Sequence, residues 1–234
     1  MGKPDVYYPA SYEGQWVCDH TITGIEFKGE TPGDKERGQL LLLYEDALNS
    51  GGKLPKYTRV YSVYDGRVVL DRGVSQGAFL NALSSARATS LGAAAAASEE
   101  KWLASYDPGN ANNVRLASSQ GLVLDTKVTK RSIEDMGGKV VNGAAMVPVT
   151  TSRKADAIGF SEFTRIVEDT PKVETGGGTF ETRLYGTRLL ARNKAISDDE
   201  ILALERLYVY TDEGELTNRP LAVIKSKISL RRVE

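Results

Sequence analysis

From Leu221 to Val233 the residue types alternate one by one: Ala222, Ile224, Ser226, Ile228 and Leu230 fall on one side, and Val223, Lys225, Lys227, Ser229 and Arg231 on the other. A period of two is the signature of a β-strand with one buried face. The same kind of run recurs through the chain. Gly14 to Phe27 is a long first strand in which Gly24 suggests a bulge. Tyr57 to Tyr64 puts Tyr57, Arg59, Tyr61 and Val63 on one face, and Asp65-Gly66 is a hairpin turn answered by Arg67 to Asp71. Asn113 to Ser118, Leu122 to Glu134, Val140 to Thr151, Gly159 to Asp169 and Thr179 to Asn193 read as further strands, while Leu40 to Tyr44 and Glu200 to Thr211 are ambiguous in type. Gly176-Gly177-Gly178 lacks the Lys-Ser/Thr of a phosphate loop and reads as a turn.

One segment breaks the rhythm. Ser75 to Lys101 is rich in Ala and Leu and contains no Pro, so it reads as a helical insertion, N-capped by Ser75 and weakened at Gly92. It fits a helix on the surface of a barrel or a partly mobile insertion. The expectation is therefore a mainly β fold: one domain over residues 1–234, an antiparallel barrel of eight to ten strands with a helical Ala-rich insertion at about 75–101. Closing the sheet would remove its exposed edges.

Composition narrows the chemistry. One cysteine, Cys18, and one histidine, His20, cannot make an intramolecular disulfide or a zinc site of Cys and His ligands. They share a strand face, but neighbours on one strand are poorly placed as nucleophile and base, so they read as a small apolar cysteine and a structural histidine. With 30 Lys plus Arg against 31 Asp plus Glu, no overall field attracts nucleic acid. No apolar run approaches the ~20 residues of a membrane-spanning helix. No catalytic or metal-ligating residue is assigned, and enzymatic activity is not favoured.

The start of the first strand, Tyr12-Glu13-Gly14-Gln15-Trp16, resembles the opening of lipocalins and the wider calycin group. The resemblance implies a barrel whose closed end is plugged by Trp16, with Gly14 allowing close backbone approach and Arg231 of the last strand, in preference to Arg232, stacked on the indole. A narrower resemblance, to a lipocalin-like family of cyanobacteria and plastids, rests on Tyr8-Pro9-Ala10-Ser11-Tyr12-Glu13-Gly14-Gln15-Trp16, Tyr106-Asp107-Pro108-Gly109-Asn110-Ala111-Asn112, Val128-Thr129-Lys130-Arg131 and Phe160-Ser161-Glu162-Phe163-Thr164-Arg165. It implies a photosynthetic setting, in a chloroplast at the thylakoid or in a cyanobacterium. Bilin lyases with a similar barrel hold a tetrapyrrole in its mouth.

Tyr61, Arg131, Arg165, Arg183 and Tyr185 are the candidate ligand-binding residues. Guanidinium groups in an apolar cup suit a carboxylate-bearing ligand. The alternative is that the charges are solvated on the outer face and the tyrosines are core packing. Glu181 and Arg183, two apart, share a face; Glu162 and Arg165, three apart, do not unless a bulge intervenes. Two functions follow. The first is non-catalytic binding of a hydrophobic small molecule such as a pigment, tetrapyrrole, carotenoid or lipid. The second is an assembly subunit of a photosynthetic membrane complex, with a barrel filled by side chains.

Overall fold

The alternating runs pair into one antiparallel sheet. In the computed structural model, which describes residues 5–29, 33, 37–91, 100–107, 110, 112–134, 140–142, 157–171, 180–211 and 219–233, the strands are β1 (Gly14–Phe27), β2 (Tyr57–Tyr64), β3 (Arg67–Leu70), β4 (Trp102–Tyr106), β5 (Asn113–Ser118), β6 (Val123–Glu134), β7 (Val140–Asn142), β8 (Ala157–Pro171), β9 (Phe180–Ser197), β10 (Glu200–Tyr210) and β11 (Ala222–Arg232). Ten of them lie in the order β3-β2-β1-β11-β10-β9-β8-β6-β5-β4, and β7 pairs with β6. First and last strands are thus side by side, and the sheet curls into a half-barrel whose edges are β3 and β4.

The Asp65-Gly66 hairpin forms as expected, with both residues at positive φ and Tyr64 opposite Arg67. The register of β1 against β11 shifts between Ile22 and Gly24, a bulge at the point the glycine marked. The ambiguous run Glu200 to Thr211 is strand β10, its Ile201, Ala203 and Val209 buried on one face.

Among the described residues two α-helices are present where one helix was expected. Leu40 to Tyr44 belongs to α1 (Gln39–Asn49), which buries Leu41, Leu43, Tyr44 and Ala47. Its first N–H, that of Gln39, donates to the Glu168 carboxylate of β8 at 3.0 Å, satisfying a donor that a helix N-terminus leaves free. The second helix, α2 (Arg72–Leu91), begins before Ser75. Asp71 is the cap: its carboxylate accepts from the Val74 N–H at 3.0 Å, and its carbonyl from the Ser75 N–H. The Ser75 hydroxyl turns away and accepts from the Val60 N–H of β2. The alanine run after Gly92 lies outside the described residues, as do the triple glycine and the end of the expected Val140 to Thr151 strand.

The row of strands ends on β3 and β4, which do not pair with each other. Helix α2 follows β3 in the chain and packs against β2 and β4, so it is a wall of the half-barrel and no surface appendage. On one side it ties to β2 through Ser75 and through the Asp71 N–H to Val60 O bond of 2.8 Å. On the other, the Asn81 amide pairs with both the N–H and the carbonyl of Trp102 on β4. Gly73 makes this approach possible, since a Cβ there would stand 2.7 Å from Tyr106 Cβ.

Candidate functional site

Inside the half-barrel lies a cavity of about 200 Å³. Its walls are the inward residues of β5, β6, β8, β9 and β10, including Val114, Leu124, Val128, Ile166, Leu189 and Leu207, and the face of α2 bearing Phe79 and Leu80. Apolar side chains dominate, but Thr126, Thr164, Thr187, Asn193, Glu162 and Glu205 also line it. Polar groups on the inner face of a sheet need internal partners.

Two buried ion groups supply them for the two glutamates. At one end, the Arg72 guanidinium forks onto Glu162 at 2.6 and 3.0 Å and reaches Asp5 at 2.7 Å. Arg131 adds its Nε to Glu162 at 2.5 Å and lies 3.4 Å from Asp5. Burial pushes the Glu162 carboxyl up, but Arg72 and then Arg131 outweigh it and hold the group at about 2. A cation in the first turn of a helix opposes the helix dipole, so Arg72 depends on these two carboxylates. Farther round the wall, Arg59 of β2 pairs with Glu205 of β10 at 3.0 Å. Among the described residues both groups are internally neutral: two arginines with two carboxylates, and one with one.

Two amides are left over. Gln76 Oε1 and Asn193 Oδ1 are buried on the cavity wall with no hydrogen-bond partner among the described residues. Buried acceptors without donors are uncommon and call for an explanation. The cavity thus offers an apolar bed with unspent polar capacity at fixed points.

The start of β1 is built differently. Trp16 is fully buried, and its indole N–H donates to Tyr12 O at 2.7 Å. The cation on its ring is Arg232, 4.4 Å from the centroid; Arg231, the favoured candidate of the pair, is opposite Val17 and exposed. Alternation gives the reason, because Arg232 is the residue in register with Trp16. Arg232 also donates to the carbonyls of Ser11 and Glu13 at 2.6 Å each. Gly14 lies at φ +123°, and a Cβ there would come 2.9 Å from the guanidinium.

The other candidates are dispersed. Tyr61 is core, edge-on to Tyr8 and Tyr12, and does not line the cavity. Arg131 enters the buried ion group through a bulge between Val128 and Lys130 that puts both Val128 and Arg131 inside. Arg165 is exposed on the outer face, opposite in direction to Glu162. Arg183 is half-buried over the ring of Tyr185, whose hydroxyl donates to Glu168 at 3.1 Å beneath α1. Glu181 is exposed.

His20 stacks on Phe79 at 5.3 Å, its Nδ1 lies 2.9 Å from the Tyr57 hydroxyl, and burial lowers its pKa to about 4. Burial likewise raises the Cys18 thiol to about 11, which removes the thiolate a nucleophile needs. Among the described residues no group of three or more His, Cys, Asp or Glu is placed to hold a metal ion, and no helix is long and apolar enough to cross a membrane.

Sequence reasoning overlooked Asp5, Arg72, Glu205, Gln76 and Asn193. Arg59 and Glu162 were readable from strand parity. The pair Gly73 and Gly77, one helical turn apart, was the signal that α2 presses against a neighbour. No match to the chain is found among curated proteins. The profile of a family described as Domain of unknown function (DUF6816) matches residues 1–234, and the chain, with its half-barrel walled by a helix, belongs to that family.

Proposed function

We propose that the protein is a non-catalytic, lipocalin-like binding protein for a small hydrophobic ligand with one polar end. The observation that carries this reading is the cavity in which apolar walls meet the unpartnered acceptors of Gln76 and Asn193. Ligand sites are commonly concave, mostly apolar and furnished with a few fixed polar groups. Volume selects the ligand. About 200 Å³ lies below the usual ~300–1,000 Å³ of such sites. That favours a slender, lipid-like chain over a tetrapyrrole or carotenoid. An assembly subunit with a barrel filled by side chains has less support from such an interior. The photosynthetic setting belongs to the same proposal and is supported by the residue resemblance.

Titration calorimetry with 1-hexanol tests it. A hydroxyl donor on a six-carbon chain suits the two acceptors, and saturable 1:1 binding is the expected result. Thr187→Leu, which fills the cavity from β9, should abolish it. Absence of saturable binding, or binding unaffected by Thr187→Leu in a folded protein, would overturn the reading.

A further inference from the structure

We propose that Asp5 is an internal stand-in for a ligand carboxylate, held in an anion site built by Arg72 and Arg131, and that a carboxylate-bearing chain enters by displacing it. This rests on the binding function above and names the ligand class. The charge count motivates it: Arg72, Arg131 and Glu162 together carry one net positive charge, and Asp5 cancels it. A monoanion is what the site needs when Asp5 is gone, so a carboxylate suits it better than a phosphate dianion.

Asp5 is an incomplete partner. Its Oδ1 serves Arg72, Arg131 and the Val6 N–H, while among the described residues Oδ2 has no hydrogen-bond partner, nor has Arg72 Nε. A carboxylate free to orient itself can use both oxygens on a guanidinium fork. Asp5 is also attached to the wall of the cavity. Its neighbour Tyr8 lines the cavity, packs edge-on against Tyr61 and is tied to β3 by the Tyr8 N–H to Val68 O bond of 2.9 Å. Withdrawal of residues 5–8 would open Arg72, which lines the cavity, to a carboxylate whose chain lies in the apolar bed.

Hexanoate and 1-hexanol, titrated into the full chain and its Asp5→Asn variant, separate the anion site from the cavity. The variant keeps the shape but leaves the positive charge uncompensated. Hexanoate should bind it at least tenfold more tightly than the unaltered protein, while the hexanol affinity stays within twofold. In the unaltered protein, saturating hexanoate should accelerate hydrogen exchange of the Tyr8 amide, and hexanol should not. Equal hexanoate affinity for both proteins, or a Tyr8 amide whose protection is unchanged, overturns the inference. Should Asp5→Asn fail to fold, Asp5→Ser and the exchange measurement decide it. Hexanol binding without any hexanoate effect removes the anion site alone, whereas a hexanoate gain without hexanol binding removes the cavity reading and leaves the anion site.

Discussion

The two halves of the half-barrel use the same strand pairing for opposite ends. Around β1 and β11 the inward residues Trp16, Cys18, Ile22, Ile224, Ile228 and Leu230 are almost wholly buried, and none of them lines the cavity. Across from them, β6, β8, β9 and α2 present Thr126, Glu162, Thr164, Thr187, Asn193 and Gln76 to the space between. Large apolar side chains interdigitate and exclude volume. Shorter polar ones, bound into ion pairs or left with open acceptors, do not, so one half is packed core and the other a cavity wall.

Substitutions in each half should therefore fail in different ways. The largest loss of stability belongs to the packed half: Trp16→Ala removes a fully buried indole and its contact with Arg232, and should cost about 3–5 kcal/mol in denaturant unfolding. A cost below about 1 kcal/mol would mean that Trp16 does not hold that half together. Acidification comes next. Burial holds the His20 imidazole at about 4, against about 6.5 when unfolded, so the unfolded chain binds the proton first as pH falls. Stability is fully present above about pH 6.5 and should decline by roughly 3 kcal/mol as pH drops to about 4. His20→Phe, which keeps a ring against Phe79, should flatten that decline between pH 6.5 and 4 relative to the unaltered protein; an unchanged slope assigns it elsewhere.

The smallest effects probe the packing of α2. Gly73→Ala drives a methyl to 2.7 Å from Tyr106 Cβ and should destabilise by about 1–3 kcal/mol through overpacking. Gly77→Ala meets Ala104 Cβ at an ordinary 3.6 Å, and should be neutral or stabilising by up to about 1 kcal/mol from helix propensity alone. Thermal unfolding of the two variants side by side checks the ordering; equal shifts would mean that α2 does not press on β4 as described.

The packed half was legible in the sequence because burial there depends on alternation, and β11 could be assigned face by face. The cavity half was not, for physical reasons. A threonine, glutamate or arginine on an inner face looks like a solvent-facing residue until its partner is known. The bulge before Lys130 shifts parity, so Arg131 faces in alongside Val128 three positions away. Asp5 sits in an irregular segment whose only specification is the cluster it joins, and Arg72 precedes the serine that looked like the cap. The contact of Gly14 and Trp16 with the last strand was legible, but the cation on the indole is Arg232, one residue from the favoured position.

The division into packed core and binding wall is tested most directly by methyl NMR of the full chain during titration with 1-hexanol. Saturable shifts are expected at Val128, Leu189 and Leu207, which line the cavity, and none beyond the baseline at Ile22, Ile228 and Leu230. Shifts spread evenly over both sets, or confined to the second, would contradict it.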